Sequence, residues 1–133
     1  VAVGGAATMN RAPIRTSRVT ELSRARIATT SPEALKPDSL DAFNRLSAAS
    51  ATSTYGGDCH NYALLAAGHV DIVLEDGLAT HDIMGVVEVI RAAGGIVTDK
   101  TGAAVTMQGT DSLLAASTPE LHAAALALAG KSG

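Results

Sequence analysis

The stretch GGDCHNYALLAAGHVDIVLEDGLATHD, residues 56–82, decides the fold of this chain. Gly56-Gly57 breaks the backbone. Asp58 then opens an apolar run, Tyr62, Leu64, Leu65, Ala66 and Ala67, that fits one helix stopped at Gly68. The next run, Val70 to Leu74, is short, rich in β-branched residues and closed by Glu75-Asp76-Gly77. It fits a buried strand that delivers Glu75 at its C-terminal end. Asp82 follows and begins a second helix, Ile83 to Ala93, with Val86, Val87 and Ile90 on one face and Gly94-Gly95 as its stop. Helix, strand, loop and helix together bring three acids, Asp58, Glu75 and Asp82, toward one edge.

On the N-terminal side, Val1 to Val3, Ala6 to Met9 and Pro13 to Thr16 are strand-like and separated by Gly4-Gly5 and Asn10-Arg11, the pattern of a sheet edge. Arg26 to Thr29 is a further strand. Ser31 can cap and Pro32 can open a helical turn, but Pro37 interrupts, so the main helix is expected from Ser39 to Ala49, with Leu40, Phe43 and Leu46 at helical spacing. Ala51 to Thr54 leads as a strand into the glycine pair. On the C-terminal side, Ile96 to Thr98 and Leu113 to Ala116 are strands, Asp99 to Gly102 is a turn, and Pro119 to Ala129 is a terminal helix. Strands alternating with helices of ten to twelve residues give an α/β fold, a predominantly parallel or mixed sheet flanked by helices.

The 133 residues have the size of one domain, 1–133, and 47% apolar content is ample for a core. Aromatic residues are only 2% and Trp is absent, which removes the stacking platforms that single-stranded nucleic acid needs. Net charge is −3, arguing against a nucleic-acid or membrane-surface partner. The charge is uneven: residues 1–50 carry seven basic against four acidic side chains, residues 51–133 three against nine. Those acids either keep the surface soluble or hold a divalent cation. A single cysteine, Cys59, excludes an internal disulfide and suits a reducing compartment. No apolar run approaches a membrane span and no signal-peptide order is present, so the cytoplasm is the expected location. Val1 starts directly in strand-like sequence, and a segment upstream of it is expected.

The order of these motifs resembles the C-terminal half of the inositol-monophosphatase-like family of metal-dependent phosphatases. The resemblance rests on His81-Asp82-Ile83-Met84-Gly85, on Ala93-Gly94-Gly95-Ile96-Val97-Thr98-Asp99-Lys100-Thr101-Gly102, and on GGAATMNRAPIRTS at residues 4–17, where Arg11 stands in place of a usual Gly. Gly56-Gly57-Asp58-Cys59 followed by Tyr62-Ala63-Leu64-Leu65-Ala66-Ala67-Gly68 is most similar to the histidinol-phosphate phosphatase branch, which serves histidine biosynthesis. The chain departs from that branch at Thr54, Ala79-Thr80 and His81.

The resemblance implies the C-terminal half of an αβαβα sugar-phosphatase-type fold and a Mg²⁺ cofactor. It makes Asp82 a metal ligand that also borders the substrate. Glu75 becomes a contact to substrate hydroxyl or amine, Asp58 the selector of the leaving alcohol, and Gly57 and Cys59 their neighbours in the substrate-binding turn. It implies a small phosphorylated alcohol as substrate and a homodimer when the protein is complete. The family's N-terminal half supplies a Glu-Glu pair and an Asp-Pro-(Ile/Leu)-Asp-Gly-Thr loop, and neither occurs here. The chain is therefore expected to hold half of a site, with its catalytic residues in the missing N-terminal half.

Plainer roles stand beside these. Asp82 and Asp58 at helix starts also fit caps, and Glu75 beside a turn fits a surface acid. Asp71 and Asp99 fit turn residues. His60, His69, His81 and His122 lack metal-site spacing and fit the surface or an interface. Arg11, Arg15, Arg18, Arg24 and Arg26 fit solvated surface, and Thr29, Thr30 and Ser31 offer hydroxyls to a polyol.

Overall fold

The computed structural model describes residues 2–131. Its first elements, β1 (Ala2–Val3), β2 (Ala6–Met9) and β3 (Ala12–Pro13), pair antiparallel in that order. Arg11 turns the chain at φ 69°, a conformation that glycine adopts freely and other residues only with strain. The backbone thus accounts for the Gly usual at this point of the resembled hairpin. Val1 lies outside the described residues. The strand expected over Pro13 to Thr16 stops at Pro13, because Thr16 is drawn elsewhere: its N–H donates to Ala93 O at 3.0 Å and its hydroxyl to Ser117 O at 2.9 Å.

Five strands form the main sheet: β4 (Arg26–Thr29), β5 (Thr52–Tyr55), β6 (Ile72–Glu75), β7 (Ile96–Thr98) and β8 (Leu113–Ala116), in the order β5-β4-β6-β8-β7. β4 is parallel to both β5 and β6, while β8 runs antiparallel to β6 and β7. The sheet is mixed, as the sequence allows. Four helices cover it: α1 (Pro37–Ala49), α2 (Cys59–Ala66), α3 (Thr80–Ala92) and α4 (Pro119–Ala129). Strand side chains alternate between two cores. Ile27, Ile72, Leu74, Leu114 and Ala116 pack with α1 and α4. Ala28, Val73, Val97, Leu113 and Ala115 pack with α2 and α3, where Ala7 of β2 joins them. Continuous apolar runs are what a sheet buried on both faces requires.

Helix starts differ from expectation in two places. Pro37 opens α1 instead of interrupting it, since the first helical position needs no N–H donor. α3 begins at Thr80, which puts Asp82 two residues inside, where its Oδ2 accepts the Ala79 N–H at 3.0 Å. Ala79 has no side-chain oxygen to return the bond, so only half of a capping box exists. Ser31 makes no cap; its hydroxyl donates to Glu33 Oε2 at 2.8 Å.

Two polar residues expected in turns or at the surface, Asp71 and His122, belong to the interior. Asp71 is fully buried. Arg26 grips it with Nε at 2.8 Å and Nη2 at 3.0 Å, and the Ser17 hydroxyl and the Arg26 N–H also donate to it. Burial raises the Asp71 pKa, but the bonds from Arg26 and Ser17 outweigh it and hold the carboxyl below its usual range. His122 is buried on α4 with Nε2 2.9 Å from Thr98 Oγ1, and burial lowers its pKa. Asp99 does sit in a turn, its Oδ1 accepting from the N–H groups of Thr101 and Ala103.

Candidate active site

The order β5-β4-β6 sends successive connections to opposite sides of β4. The chain leaves β4 through α1 to β5, then returns through α2 to β6 on the other flank. Right-handed crossovers in opposite directions place α1 and α2 on opposite faces. The loop after β4 leads to α1 on one face and the loop after β6 to α3, on the face of α2, so the two diverge and leave a crevice at the C-terminal ends of the strands, the usual ligand site of such sheets.

A cleft of ≈ 250 Å³ occupies that place, lined by Thr29 to Ser31 after β4, by Asp58, by Glu75 to Leu78 after β6, and by Asp82, with Ala34 and Leu35. Asp58, Glu75 and Asp82, which the sequence singles out, line one cleft. Cys59 is exposed at the start of α2 and is not among the lining residues, and neither is Gly57. A larger cavity of ≈ 550 Å³ lies between α1 and α4 and contains none of the three acids. Its lining mixes Asp38, Asp41, Arg45, Lys100 and Lys131, whereas the only charged side chains lining the smaller cleft are acidic.

Glu75 ends β6 opposite Leu113 of β8 and is only 4% exposed. Its Oε1 accepts the Thr30 N–H at 3.1 Å and the Thr30 hydroxyl, and its Oε2 accepts the Tyr62 hydroxyl at 2.9 Å. Burial first, and the Glu75 carboxylate second, push the Tyr62 hydroxyl well above the ordinary tyrosine range, so it stays a donor. Glu75 is therefore no surface acid. Sequence reasoning placed Tyr62 among the apolar residues of its helix; a hydroxyl on the buried face was the available signal.

Asp58 occupies the N-cap of α2 but makes no capping hydrogen bond, and its backbone stands at φ 48° and ψ −133°. The turn before it is fixed by the Gly56 N–H donating to Thr30 O at 2.8 Å and by Asn61 Nδ2 donating to Gly56 O at 2.9 Å. Gly57 stands at φ +99°, and a Cβ there would lie 2.6 Å from Asn61 Oδ1, so glycine is required. Asp82 keeps its side chain 50% exposed, with His81 Nε2 3.5 Å from its Oδ1. Asp76 accepts the Lys36 N–H at 3.1 Å on Oδ2, while its Oδ1 is buried without a hydrogen bond and 3.6 Å from Lys100 Nζ. Thr29 Oγ1 is likewise buried and without a partner among the described residues.

Four carboxylates line this cleft, and no Lys, Arg or His does. Such a wall attracts cations and N–H or O–H donors. Magnesium wants about six oxygen ligands, and among the described residues no group of three or more His, Cys, Asp or Glu is placed to hold a metal.

The family model described as "Inositol monophosphatase family" matches residues 2–133. The chain is 38% identical, over 82% of its length, to the bifunctional phosphatase IMPL2, chloroplastic, of Arabidopsis thaliana, and covers 32% of that protein. It is 27% identical over 74% of its length to a histidinol-phosphatase of Chlorobaculum parvum, covering 39% of it. Its fold is similar to that of an inositol monophosphatase from Zymomonas mobilis, with TM-score 0.89, 31% identity, and 93% of this chain against 49% of that one. The chain thus spans between a third and a half of the length of the proteins it matches. No helix among the described residues is long and apolar enough to cross a membrane.

Proposed function

Because the chain belongs to the inositol monophosphatase family, we propose that it is the substrate-recognising part of a Mg²⁺-dependent phosphomonoesterase whose alcohol product is cationic, with L-histidinol phosphate as the substrate. The cleft lined by four carboxylates and no basic side chain carries this reading. A protonated amine adds ion-pair attraction there to the hydrogen bonds that a neutral polyol also makes.

In this reading Asp82 donates one oxygen to the metal, and the other ligands come from a half outside this chain. The metal chemistry, activation of water and stabilisation of the leaving alkoxide, lies outside it too. What these residues do is hold the alcohol. Glu75 takes a donor of the leaving group from a fixed position. Asp58 meets the same group from the start of α2, with Gly57 and Cys59 forming its turn. A cytoplasmic location is part of the reading, since the free, exposed Cys59 thiol suits a reducing compartment.

The test joins this chain to a family N-terminal half and compares histidinol phosphate with inositol phosphate. The expected result is Mg²⁺-stimulated hydrolysis with preference for the former, and none from the 133-residue chain alone. Asp58→Ala should lower kcat/KM on histidinol phosphate by about tenfold to a hundredfold and spare the neutral substrate. Equal losses on both substrates would return Asp58 to a purely structural role. A second reading, a ligand- or partner-binding domain without catalysis, draws on the lack of a three-ligand metal set among the described residues. It prevails if the joined protein binds the alcohol but never hydrolyses its phosphate.

A further inference from the structure

Glu75 is almost fully buried, yet each of its hydrogen-bond donors is neutral: the Thr30 N–H, the Thr30 hydroxyl and the Tyr62 hydroxyl. A carboxylate offers about four acceptor sites. Thr30 fills those of Oε1 and Tyr62 takes one of Oε2, leaving one acceptor position on the oxygen that Tyr62 holds.

The ring of Tyr62 lies in the apolar cluster of Leu65, Val73, Ile83 and Leu113. A phenylalanine would satisfy that cluster as well. Its hydroxyl is spent on Glu75 at 2.9 Å. Tyr62 also rides one turn after Asp58 at the start of the same helix. The bond from Tyr62 therefore ties the helix that presents Asp58 to the strand that presents Glu75, and sets the two acids relative to each other.

We infer that Tyr62 is a positioning residue for the substrate's cationic group, orienting Glu75 so that a single acceptor position on Oε2 is left for one N–H donor of the ligand. This rests on the proposed reading of the cleft as the alcohol site. Tyr62 touches Glu75 and not the ligand, so it governs where the carboxylate stands. Selection of an amine over its absence follows from the negative charge of Glu75, and selection of its direction from Tyr62.

The test uses the chain labelled with ¹³C and ¹⁵N, the variants Tyr62→Phe and Glu75→Gln, and two probes: L-histidinol and 3-(imidazol-4-yl)propan-1-ol, the same skeleton without the amine. The readouts are the Glu75 carboxyl carbon resonance, the Thr30 amide, the affinity for each probe by NMR titration, and the thermal midpoint. Tyr62→Phe should move the Glu75 resonance, weaken L-histidinol by about tenfold and leave the deaminated probe within about twofold, without global unfolding. The double variant should bind L-histidinol no more weakly than Glu75→Gln alone. An unmoved Glu75 resonance, unchanged L-histidinol affinity in Tyr62→Phe, or additive losses in the double variant would overturn the inference. If the unaltered chain and Glu75→Gln bind both probes equally while Tyr62→Phe still moves the Glu75 resonance, the tether stands and the cationic-substrate reading fails.

Discussion

Asp58 holds a backbone conformation at φ 48° and ψ −133° and receives no capping hydrogen bond for it. Strain of this kind amounts to about 1–3 kcal/mol at a non-glycine residue, and glycine gives back part of it through its larger unfolded-state entropy. Asp58→Gly should therefore stabilise the chain by about 1 kcal/mol, seen as a higher urea midpoint, while weakening discrimination between cationic and neutral alcohols. A lower midpoint would show that the Asp58 side chain stabilises the fold. His122 has a pH signature. Its folded pKa lies below the ordinary value of 6.5, so between the two the unfolded chain binds the extra proton. Stability from this group is complete above pH 6.5 and is lost as pH falls toward the folded value. Thermal midpoints from pH 7.5 down to about 5 should fall in the parent and fall less in His122→Gln; parallel curves would remove His122 as the cause. That Asp58, Glu75 and Asp82 meet at one cleft is legible in the sequence because each stands at an element's end or within its first turn. The roles of Asp71 and Tyr62 are not. The partner of Asp71 lies 45 residues away and that of Tyr62 13 residues away, and no local pattern reports such a distance.

At the scale of elements, α3 and its exit into β7 contain two glycines with opposite needs. Gly85 lies within α3, and a Cβ there would meet nothing within 4 Å. Gly85→Ala should stabilise by about 0.5–1 kcal/mol through helix propensity. Gly95 is pressed against β8: a Cβ would lie 2.6 Å from Ile90 Cγ2 and 3.1 Å from both Ala116 O and Thr16 Cγ2. Gly95→Ala should destabilise by about 1–3 kcal/mol, since the backbone oxygen cannot move aside. Urea denaturation of the pair checks both signs, and a neutral Gly95→Ala would mean that α3 shifts on the sheet at little cost. Most elements are legible because apolar period and glycine stops coincide. The order β5-β4-β6-β8-β7 and the reversed direction of β8 are not. Leu113 to Ala116 is apolar on both faces, so its composition is the same for either direction, and the choice is made by neighbours distant in sequence.

For the whole molecule, the absence of a three-ligand metal group among the described residues has a direct consequence. Millimolar Mg²⁺ should leave the thermal midpoint of the chain unchanged, because a ligand stabilises only by binding the folded state. A saturable rise with Mg²⁺ would show a complete metal site within this chain. The excess acid in residues 51–133 is legible as composition; its gathering at one crevice depends on the crossover order, which composition does not carry. The opposite end of the sheet is built differently. There Asp71, just before β6, is gripped by Arg26 at the start of β4, while the Asp71 N–H donates to Arg26 O at 2.9 Å and Arg26 Nη2 donates to Gly68 O at 2.9 Å. Removing Arg26 leaves the buried Asp71 charge without its cation, so that end is locked to the integrity of the core. The crevice end consists of loops whose side chains, in the proposed reading, answer to a ligand. The two ends can therefore drift at different speeds in evolution: the loops after β4, β5 and β6 can be exchanged to suit a new alcohol, while the bridge behind them keeps the chain folding as before.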